Sequence, residues 1–558
     1  MLRWPCCCAQ AIAFLNIEKS LKDRKIAKSQ ESMKILLTSL NSKYVHSNLA
    51  LKYLYTVAAG EYSDVEVREF TINQDLTYIY TELLRANYDM VCFSCYIWNI
   101  EKIKQLASDL KKARPTMKLC LGGPEVSAGG ADFAVKYPWA DYILCGEGEY
   151  SFYRLCQVLH QCENQAEQAG QAGQAGQQPD EALLMSVPGL IYRGRDGRIY
   201  VNGQLEPMDF NLIPFPYSIL DCQPDQVIYY ESVRGCPFRC SYCLSSIEKT
   251  LRPLEMDRVK ADLGYFLYKR VMQVKFIDRT FNYDRVRARE IFRYLMENDN
   301  GVTNFHFELC GDLLDRETLD LLRHARKGLF QFEIGIQSAN PQTLQAVNRK
   351  ENIYPILYNV EQLMAMGNIH IHVDLIAGLP YEGYAVFARS FNKIYSLGAD
   401  MLQLGFLKVL PGTPLAAEAE KYGIVYRERA PYEVIRTGWM SAEELVNLHM
   451  IENMVDIYYN RGGFSGTLAY LIAAAGKGPF GFFEKLSTFY YGGGYQHRNR
   501  KKEDQYRILR KFILESDSLQ MDAFAREEAE RLLTEDLAGW FNEEEQKRFY
   551  KKGWEVNV

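Results

Sequence analysis

Three cysteines, Cys236, Cys240 and Cys243, are spaced C-x3-C-x2-C in the run Ser232-Val233-Arg234-Gly235-Cys236-Pro237-Phe238-Arg239-Cys240-Ser241-Tyr242-Cys243. Thiolates are the standard ligands of iron–sulfur clusters, and this spacing lets one short loop wrap three corners of a cubane. A [4Fe–4S] cluster held by three thiolates leaves one iron open to bind a substrate or a cofactor. Two blander readings are thiols met by chance in a loop and a zinc site lacking its fourth ligand. The context favours the cluster, because the run directly follows the strand-like segment Val227–Val233. Loops at strand C-termini are where α/β proteins bind ligands.

Further polar residues stand at or near strand ends downstream. Asp278, Arg279 and Thr280 close one apolar run, and Glu308 closes the next, Phe305-His306-Phe307-Glu308-Leu309. Asp278 could serve a site or cap the following helix. Glu308 could bind a ligand or form an ion pair. In Phe332-Glu333-Ile334-Gly335-Ile336-Gln337-Ser338-Ala339-Asn340, residues Glu333, Gly335 and Gln337 share one face of a strand. Leu344 and Arg349 follow. Asp374 interrupts an otherwise apolar strand in His372-Val373-Asp374-Leu375-Ile376-Ala377-Gly378-Leu379-Pro380-Tyr381-Glu382. A buried carboxylate there is costly without a polar partner. His370 and His372 alternate with apolar residues and read as core histidines.

The triad with Tyr242 before its last cysteine resembles the hallmark of radical S-adenosylmethionine (radical SAM) enzymes, and the later motifs follow in the family's order from Val227 to Leu415. The stretch from Phe332 to Arg349 is similar to that of the members including coproporphyrinogen oxidase and the methylthiotransferases. The resemblance implies that Cys236, Cys240 and Cys243 hold the cluster. It implies that the methionyl amine and carboxylate of S-adenosylmethionine chelate the open iron. One electron then breaks the sulfonium bond, and a 5′-deoxyadenosyl radical takes hydrogen from a substrate. Cofactor contacts are implied for Tyr242, for the loop Asp278, Arg279 and Thr280 at the methionyl amine, and for Glu308. Gln337 is implied at the ribose and Arg349 at the methionyl carboxylate, and the polar partner that Asp374 needs is the adenosyl moiety or Arg349. A guanidinium fork suits a carboxylate. The loop Leu407–Pro414 is implied near adenine. The Asp-Arg-Thr loop departs from the family's Gly-Gly-Glu-like version, which leaves its side-chain roles open. An electron donor such as flavodoxin or ferredoxin is the implied partner.

Three loops ahead of the triad also lie at strand ends: Ser94–Asn99, Gly122-Gly123-Pro124-Glu125 and Gly146-Glu147-Gly148-Glu149. Their order resembles the cobalamin-binding domain of cobalamin-dependent radical SAM enzymes. By that resemblance Ser94, Gly122, Gly123, Gly146 and Gly148 line the corrinoid and its nucleotide tail. The Asp-x-His-x-x-Gly motif that supplies a cobalt ligand elsewhere is absent. His46 is present, but without the Asp or Gly. The combined expectation is cobalamin-dependent methyl transfer to a carbon of an unidentified substrate. Ring closure or methylthiolation of a tRNA base are alternatives. A methylthiotransferase needs a second cluster, but Cys92, Cys95, Cys120 and Cys145 sit in apolar runs that favour burial. A non-catalytic cobalamin or redox sensor is the alternative of another class.

The elements that must position these residues follow from hydrophobic periodicity. Strand-like runs at Ile35–Thr38, Val65–Phe70, Met90–Cys95, Lys118–Leu121 and Tyr142–Cys145 alternate with helical patterns. They predict an α/β, doubly wound, Rossmann-like domain over 33–160. A low-complexity tract from Glu163 to Gln178 reads as disordered. Together with a hairpin at Ser186–Asn202 it makes a linker over 161–224. Six further β/α units predict a partial (β/α)6, TIM-like barrel over 225–415. A mainly helical region over 416–558 is expected to cover the barrel mouth, interrupted by the Gly- and aromatic-rich stretch Gly476–Tyr495. Residues 1–32 read as a disordered or non-native extension, with Met33 at the domain start.

Composition narrows the classes. Of 558 residues, 47% are hydrophobic and 24% charged, the balance of a globular protein with more than one core. The net charge of −5 carries no global basic field for nucleic acid. The run His497-Arg498-Asn499-Arg500-Lys501-Lys502 reads as a solvated loop. No apolar run is long enough to span a membrane. Fourteen scattered cysteines without a secretory pattern point to a reducing cytoplasm.

Overall fold

The computed structural model describes residues 33–555 except 59–63, 169–179, 205–206, 221, 223–225, 248–249 and 499. The expectations for 1–32 and for most of the low-complexity tract lie outside the described residues. Among the described residues, no helix is long and apolar enough to cross a membrane.

The first sheet holds β1 (Ile35–Asn41), β2 (Val65–Thr71), β3 (Met90–Ser94), β4 (Lys118–Gly122), β5 (Tyr142–Leu144), β6 (Leu190–Arg193) and β7 (Ile199–Val201). Its order is β2-β1-β3-β4-β5-β6-β7, with the first five strands parallel. β1 and β3 are buried along their whole length, as a sheet covered by helices on both faces requires. Cys92, Cys95, Cys120 and Cys145 are buried in this sheet's two apolar layers. The Asn99 amide donates to Leu40 O and Ser94 O, tying β1 to β3 where the helix Ile100–Ala113 begins.

Two expectations change here. The hairpin β6–β7 is not in a linker. It pairs antiparallel with β5 and extends the N-terminal sheet. An open β5 edge would expose unpaired backbone groups, and the hairpin satisfies them. The helix Gly148–Gln168 also runs into the tract read as disordered from Glu163.

The second sheet holds β8 (Val227–Tyr230), β11 (Gln273–Phe276), β12 (Asn304–Leu309), β13 (Phe330–Gln337), β14 (His370–Ala377) and β15 (Met401–Phe406). Between β8 and β11 lie the short strands β9 (Val233–Arg234) and β10 (Arg252–Pro253). The six long strands are all parallel in the order β15-β14-β13-β12-β11-β8, an open partial barrel. Period-two alternation sorts its faces. Phe330, Phe332, Ile334 and Ile336 bury outward against helices, and Gln331, Glu333, Gly335 and Gln337 take the other face. The lumen is therefore polar.

Flanking regions cap both open edges. At β8, Val227 N donates to Val45 O of the N-terminal domain at 2.9 Å. At β15, Leu402 N donates to Asn460 Oδ1 (2.9 Å) and Leu402 O accepts from Asn460 Nδ2 (3.0 Å). One side chain thus stands in for a missing strand. The π-helix Val455–Asn460 presents it.

The C-terminal helices share one continuous core with the barrel and pack beside β15 and the helix Tyr384–Tyr395, with His449 stacked on Phe406 at the end of β15. The rim is reached by a hairpin of β16 (Val425–Tyr426) and β17 (Val434–Arg436), where Val409 N donates to Tyr432 O. The Gly- and aromatic-rich stretch is no interruption, since Gly478–Gly492 is one helix. Burial of Phe480, Phe482, Phe483, Leu486 and Tyr490 outweighs the weak helix propensity of its glycines. The basic run is not wholly solvated either. Lys502 Nζ lies 4.2 Å from the Phe464 ring and 4.7 Å from the Trp540 ring, and burial lowers its pKa to about 8.

Candidate functional site

The cysteine loop leaves β9, which pairs with β10. Gly235 has φ +93°, and a Cβ there would sit 2.0 Å from Thr250 O, so only glycine fits. Backbone bonds pin the loop from two sides. Ser241 N donates to Val347 O, Leu415 N donates to Ser241 O, both at 2.9 Å, and Asn348 Nδ2 donates to Arg239 O at 2.8 Å. Cys236 and Cys240 are buried and Cys243 is half-buried. Thr280 Oγ1 lies 3.4 Å from Cys236 Sγ. Burial raises the Cys240 thiol pKa while the Arg349 charge pulls it down toward the thiolate. Among the described residues no three His, Cys, Asp or Glu side chains converge as one zinc ion would need. The thiolates of a cubane each reach a different iron, so the donor set fits a cluster.

Arg349 is drawn against this loop. Its Nη1 donates to Tyr242 Oη (3.0 Å), its Nη2 donates to Gly335 O (2.6 Å), and Nε lies 2.5 Å from Glu351 Oε2. Each terminal nitrogen has a second N–H beyond these bonds. Glu351, with only 4% of its side chain exposed, escaped sequence reasoning. The signal was a buried arginine in need of a counter-charge two residues away.

The lumen beside Arg349 holds unpartnered polar atoms. Gln337 has φ +69° at a register shift between β13 and β14, and a Cβ on Gly335 would fall 2.2 Å from its Nε2. The amide thus folds back over Gly335, and its Oε1 is buried without a hydrogen bond. A left-handed non-glycine residue costs on the order of 1–3 kcal/mol and persists where the surroundings impose it. Asp374 Oδ1 is buried and unpartnered too. Burial, then the charges of Glu333 and Glu308, push its pKa to about 8. Glu308 is raised by burial first and Glu333 second. Glu333 is the settled charge of the group. Lys275 Nζ (3.2 Å) and His306 Nε2 (3.1 Å) draw it down to about 2 against its burial. A ligand offering an ammonium group and hydroxyls fits the orphaned oxygens of Gln337 and Asp374. His372, half-buried, lies 3.1 Å from Gln331, and His370 is exposed beside Asp400, so neither is the core histidine expected.

Asp278 has a different job from the one expected. Its carboxylate accepts from Ser232 N (2.7 Å), Ser232 Oγ (2.5 Å) and Val233 N (3.3 Å), clasping the end of β11 to the strand entering the cysteine loop. The next helix is capped instead by Asp284. Arg279 is exposed beside it.

Glu382 is a second buried carboxyl with a structural role. Its Oε1 accepts from Ser338 Oγ (2.7 Å) and Ser390 Oγ (2.8 Å), joining the turns after β13 and β14. Burial raises its pKa from 4.5 to about 7. A raised folded-state pKa means that its contribution is fully present below the unfolded value and is lost as pH rises toward 7. By about 1.36 kcal/mol per unit, the loss is on the order of 1–3 kcal/mol. Glu382→Gln is therefore expected to match the parent at pH 5 and exceed it at pH 8. Urea unfolding at the two pH values checks this, and a constant difference between the proteins would refute it.

The N-terminal loops face this assembly. Gly122 and Gly146 have room, since an added Cβ would meet nothing nearer than 3.8 and 3.9 Å. A flat ligand can approach the backbone there. At Gly123 and Gly148 packing also requires a small residue. A Cβ on Gly123 would lie 2.6 Å from Cys95 O, and one on Gly148 3.2 Å from Leu54. Ser94 is buried and takes a bond from Asn48 Nδ2 at 3.3 Å. Tyr96 and Trp98 stack 4.5 Å apart, with Trp98 exposed. His46 Nδ1 lies 2.7 Å from Tyr229 Oη of β8, so the histidine is engaged with the barrel.

Family models match along the chain in the same order. A B12 binding domain matches residues 35–155 and the radical SAM superfamily matches 230–394. The chain joins a B12 binding domain to a radical SAM domain. Residues 420–555 match a protein family of unknown function, DUF4080. Among curated proteins, the chain is 26% identical to the cobalamin-dependent radical SAM methyltransferase TokK of Streptomyces tokunonensis, over 60% of this chain and 49% of that one. It is 24% identical to the 2-(S-pantetheinyl)-carbapenam-3-carboxylate methyltransferase of Streptantibioticus cattleyicolor, over 72% and 61% respectively. The chain thus matches about half to three fifths of the length of these relatives. In fold it is similar to the cobalamin-dependent radical enzyme OxsB (TM-score 0.60, 14% identity, covering 98% of this chain and 89% of that one). It is also similar to the methyltransferase TsrM of Kitasatospora setae (TM-score 0.56, 17% identity, 71% and 79%).

Proposed function

We propose that this chain is a radical SAM enzyme that transfers a methyl group to a carbon of its substrate, using a [4Fe–4S] cluster, S-adenosylmethionine and cobalamin. One arrangement carries the reading. Arg349 joins the cysteine loop to β13, where Gln337 and the neighbouring Asp374 hold unpartnered oxygens, and Arg234 joins the same loop to Glu149 beside the open Gly146. Cys236, Cys240 and Cys243 would hold the cluster. Gln337 would bind the ribose, Asp374 and Glu308 the cationic or hydroxyl groups, and Arg349 the methionyl carboxylate. Gly122 and Gly146 would line the corrinoid. When bound, the cluster supplies the electron that cleaves S-adenosylmethionine, and cobalamin supplies the methyl group. Glu333, held charged by Lys275 and His306, in turn raises the pKa values of Asp374 and Glu308 beside it. A sensor without radical chemistry leaves the Gln337 strain unexplained. Burial of Cys92, Cys95, Cys120 and Cys145 speaks against a second cluster. The electron donor is a small redox protein such as flavodoxin or ferredoxin, and the compartment is the reducing cytoplasm.

The test uses full-length protein reconstituted anaerobically with iron, sulfide and hydroxocobalamin. It should retain corrinoid through a desalting column and, once reduced, convert S-adenosylmethionine to 5′-deoxyadenosine. Undiminished cleavage by protein that retains no corrinoid would leave the radical assignment standing and remove the methyl-transfer one.

A further inference from the structure

The Gly-Glu-Gly-Glu loop does more than offer glycines to a ligand, because its two glutamates reach into the barrel. Arg234, two residues before Cys236, is 8% exposed and lies among three carboxylates. Its Nη2 donates to Glu149 Oε1 (2.5 Å), its Nε donates to Glu231 Oε2 (3.1 Å), and Nη1 is 3.4 Å from Glu147 Oε2. Its guanidinium lies 4.4 Å from the Phe210 ring centre and 5.4 Å from that of Tyr53. Arg252, directly across the β9–β10 pair, binds the same Glu147, with Nη1 donating to Oε2 at 3.1 Å. Two guanidiniums of the cysteine hairpin therefore face each other with Glu147 between them. Two of the three balancing carboxylates come from the N-terminal domain.

Ion pairs buried this deeply add little net stability over apolar packing, and their best-attested use is to fix one arrangement. What is fixed here is the run into Cys236, since Gly235 has no slack against Thr250 O. On the other side, Glu147 follows Gly146, whose backbone is open at the edge of the first sheet.

We propose that Arg234 is a positioning residue that carries the state of the N-terminal ligand site to the cluster loop, through Glu147 and Glu149 on one side and Cys236 on the other. This rests on the cofactor assignments above. The occupant of the Gly146 loop shifts the carboxylates, the carboxylates hold the guanidinium, and the guanidinium sets the first thiolate. Lysine keeps the charge but lacks the fork that serves three carboxylates at once.

The experiment is a redox titration of the full-length, reconstituted protein, with the cluster followed by electron paramagnetic resonance, with and without hydroxocobalamin. In the parent protein, corrinoid binding should shift the cluster's midpoint potential. Arg234→Lys should keep its iron content and its corrinoid through desalting, yet lose the shift. Glu149→Gln, isosteric and one charge lighter, should behave likewise and carries the test if the lysine variant does not fold. A merely structural role would lower Tm and leave the shift intact in both variants, which overturns the proposal. So does a parent protein that binds corrinoid without any shift. A parent that binds no corrinoid fails the cofactor assignment itself, which the desalting step reports separately.

Discussion

Alanine at Cys236, Cys240 and Cys243 together is expected to remove the iron–sulfur absorbance and reduce 5′-deoxyadenosine formation to background. The three thiols would be the covalent hold of a cluster on this loop, since thiolate ligation is what anchors such clusters. The fold should survive the change. The loop is held by Ser241, Leu415 and Asn348 through bonds that involve no sulfur, and Gly235 keeps its fit against Thr250. Tm by scanning calorimetry should therefore move little compared with the parent apoprotein. Retention of both the cluster spectrum and the cleavage activity by the triple variant would refute the central assignment. A collapsed fold would instead show that the thiols pack the loop.

The second large effect is expected at Arg349. Its removal in Arg349→Ala leaves Glu351 buried without its counter-charge and takes a donor from Tyr242 Oη and from Gly335 O. Breaking one side of a buried ion pair typically costs about 3–5 kcal/mol, because a desolvated charge is left behind. Burial already raises the Glu351 carboxyl pKa, with the Arg349 charge as the main opposing influence and a hydrogen bond with Cys310 as a lesser one. Urea unfolding of the apoprotein reads the loss. The double variant Arg349→Ala/Glu351→Gln should recover most of it, since the stranded charge is gone. Neither variant should bind S-adenosylmethionine with parental affinity in equilibrium dialysis of reconstituted protein. A single variant within about 0.5 kcal/mol of the parent, the range of ordinary surface changes, would mean that Arg349 is not the buried hub described here.

The two effects separate the kinds of information the chain carries. The thiol triad is contiguous, so its spacing alone states its chemistry. Arg349 is legible as a candidate because it follows Gln337 at a familiar distance. Its partner Tyr242 is not, because it lies 107 residues away along the chain.

The same division runs through the fold. Alternation in Phe330–Gln337 and His370–Ala377 determined which face of the barrel is apolar, because a strand's side chains repeat every second residue. Strand and helix order determined both α/β architectures, and the C-x3-C-x2-C spacing determined the metal chemistry to expect. Tertiary structure alone decided the rest. It turned Asp278 from a ligand candidate into a clasp on Ser232, 46 residues distant. It packed Gly123 against Cys95 and left Gly146 open, moved the hairpin from a linker to the sheet edge, and made a helix of Gly478–Gly492. It also brought Glu149 onto Arg234 across 85 residues. Local periodicity and spacing are written in neighbouring residues. The partner of a buried charge is chosen by desolvation once distant segments have closed around it, and no local pattern records that choice.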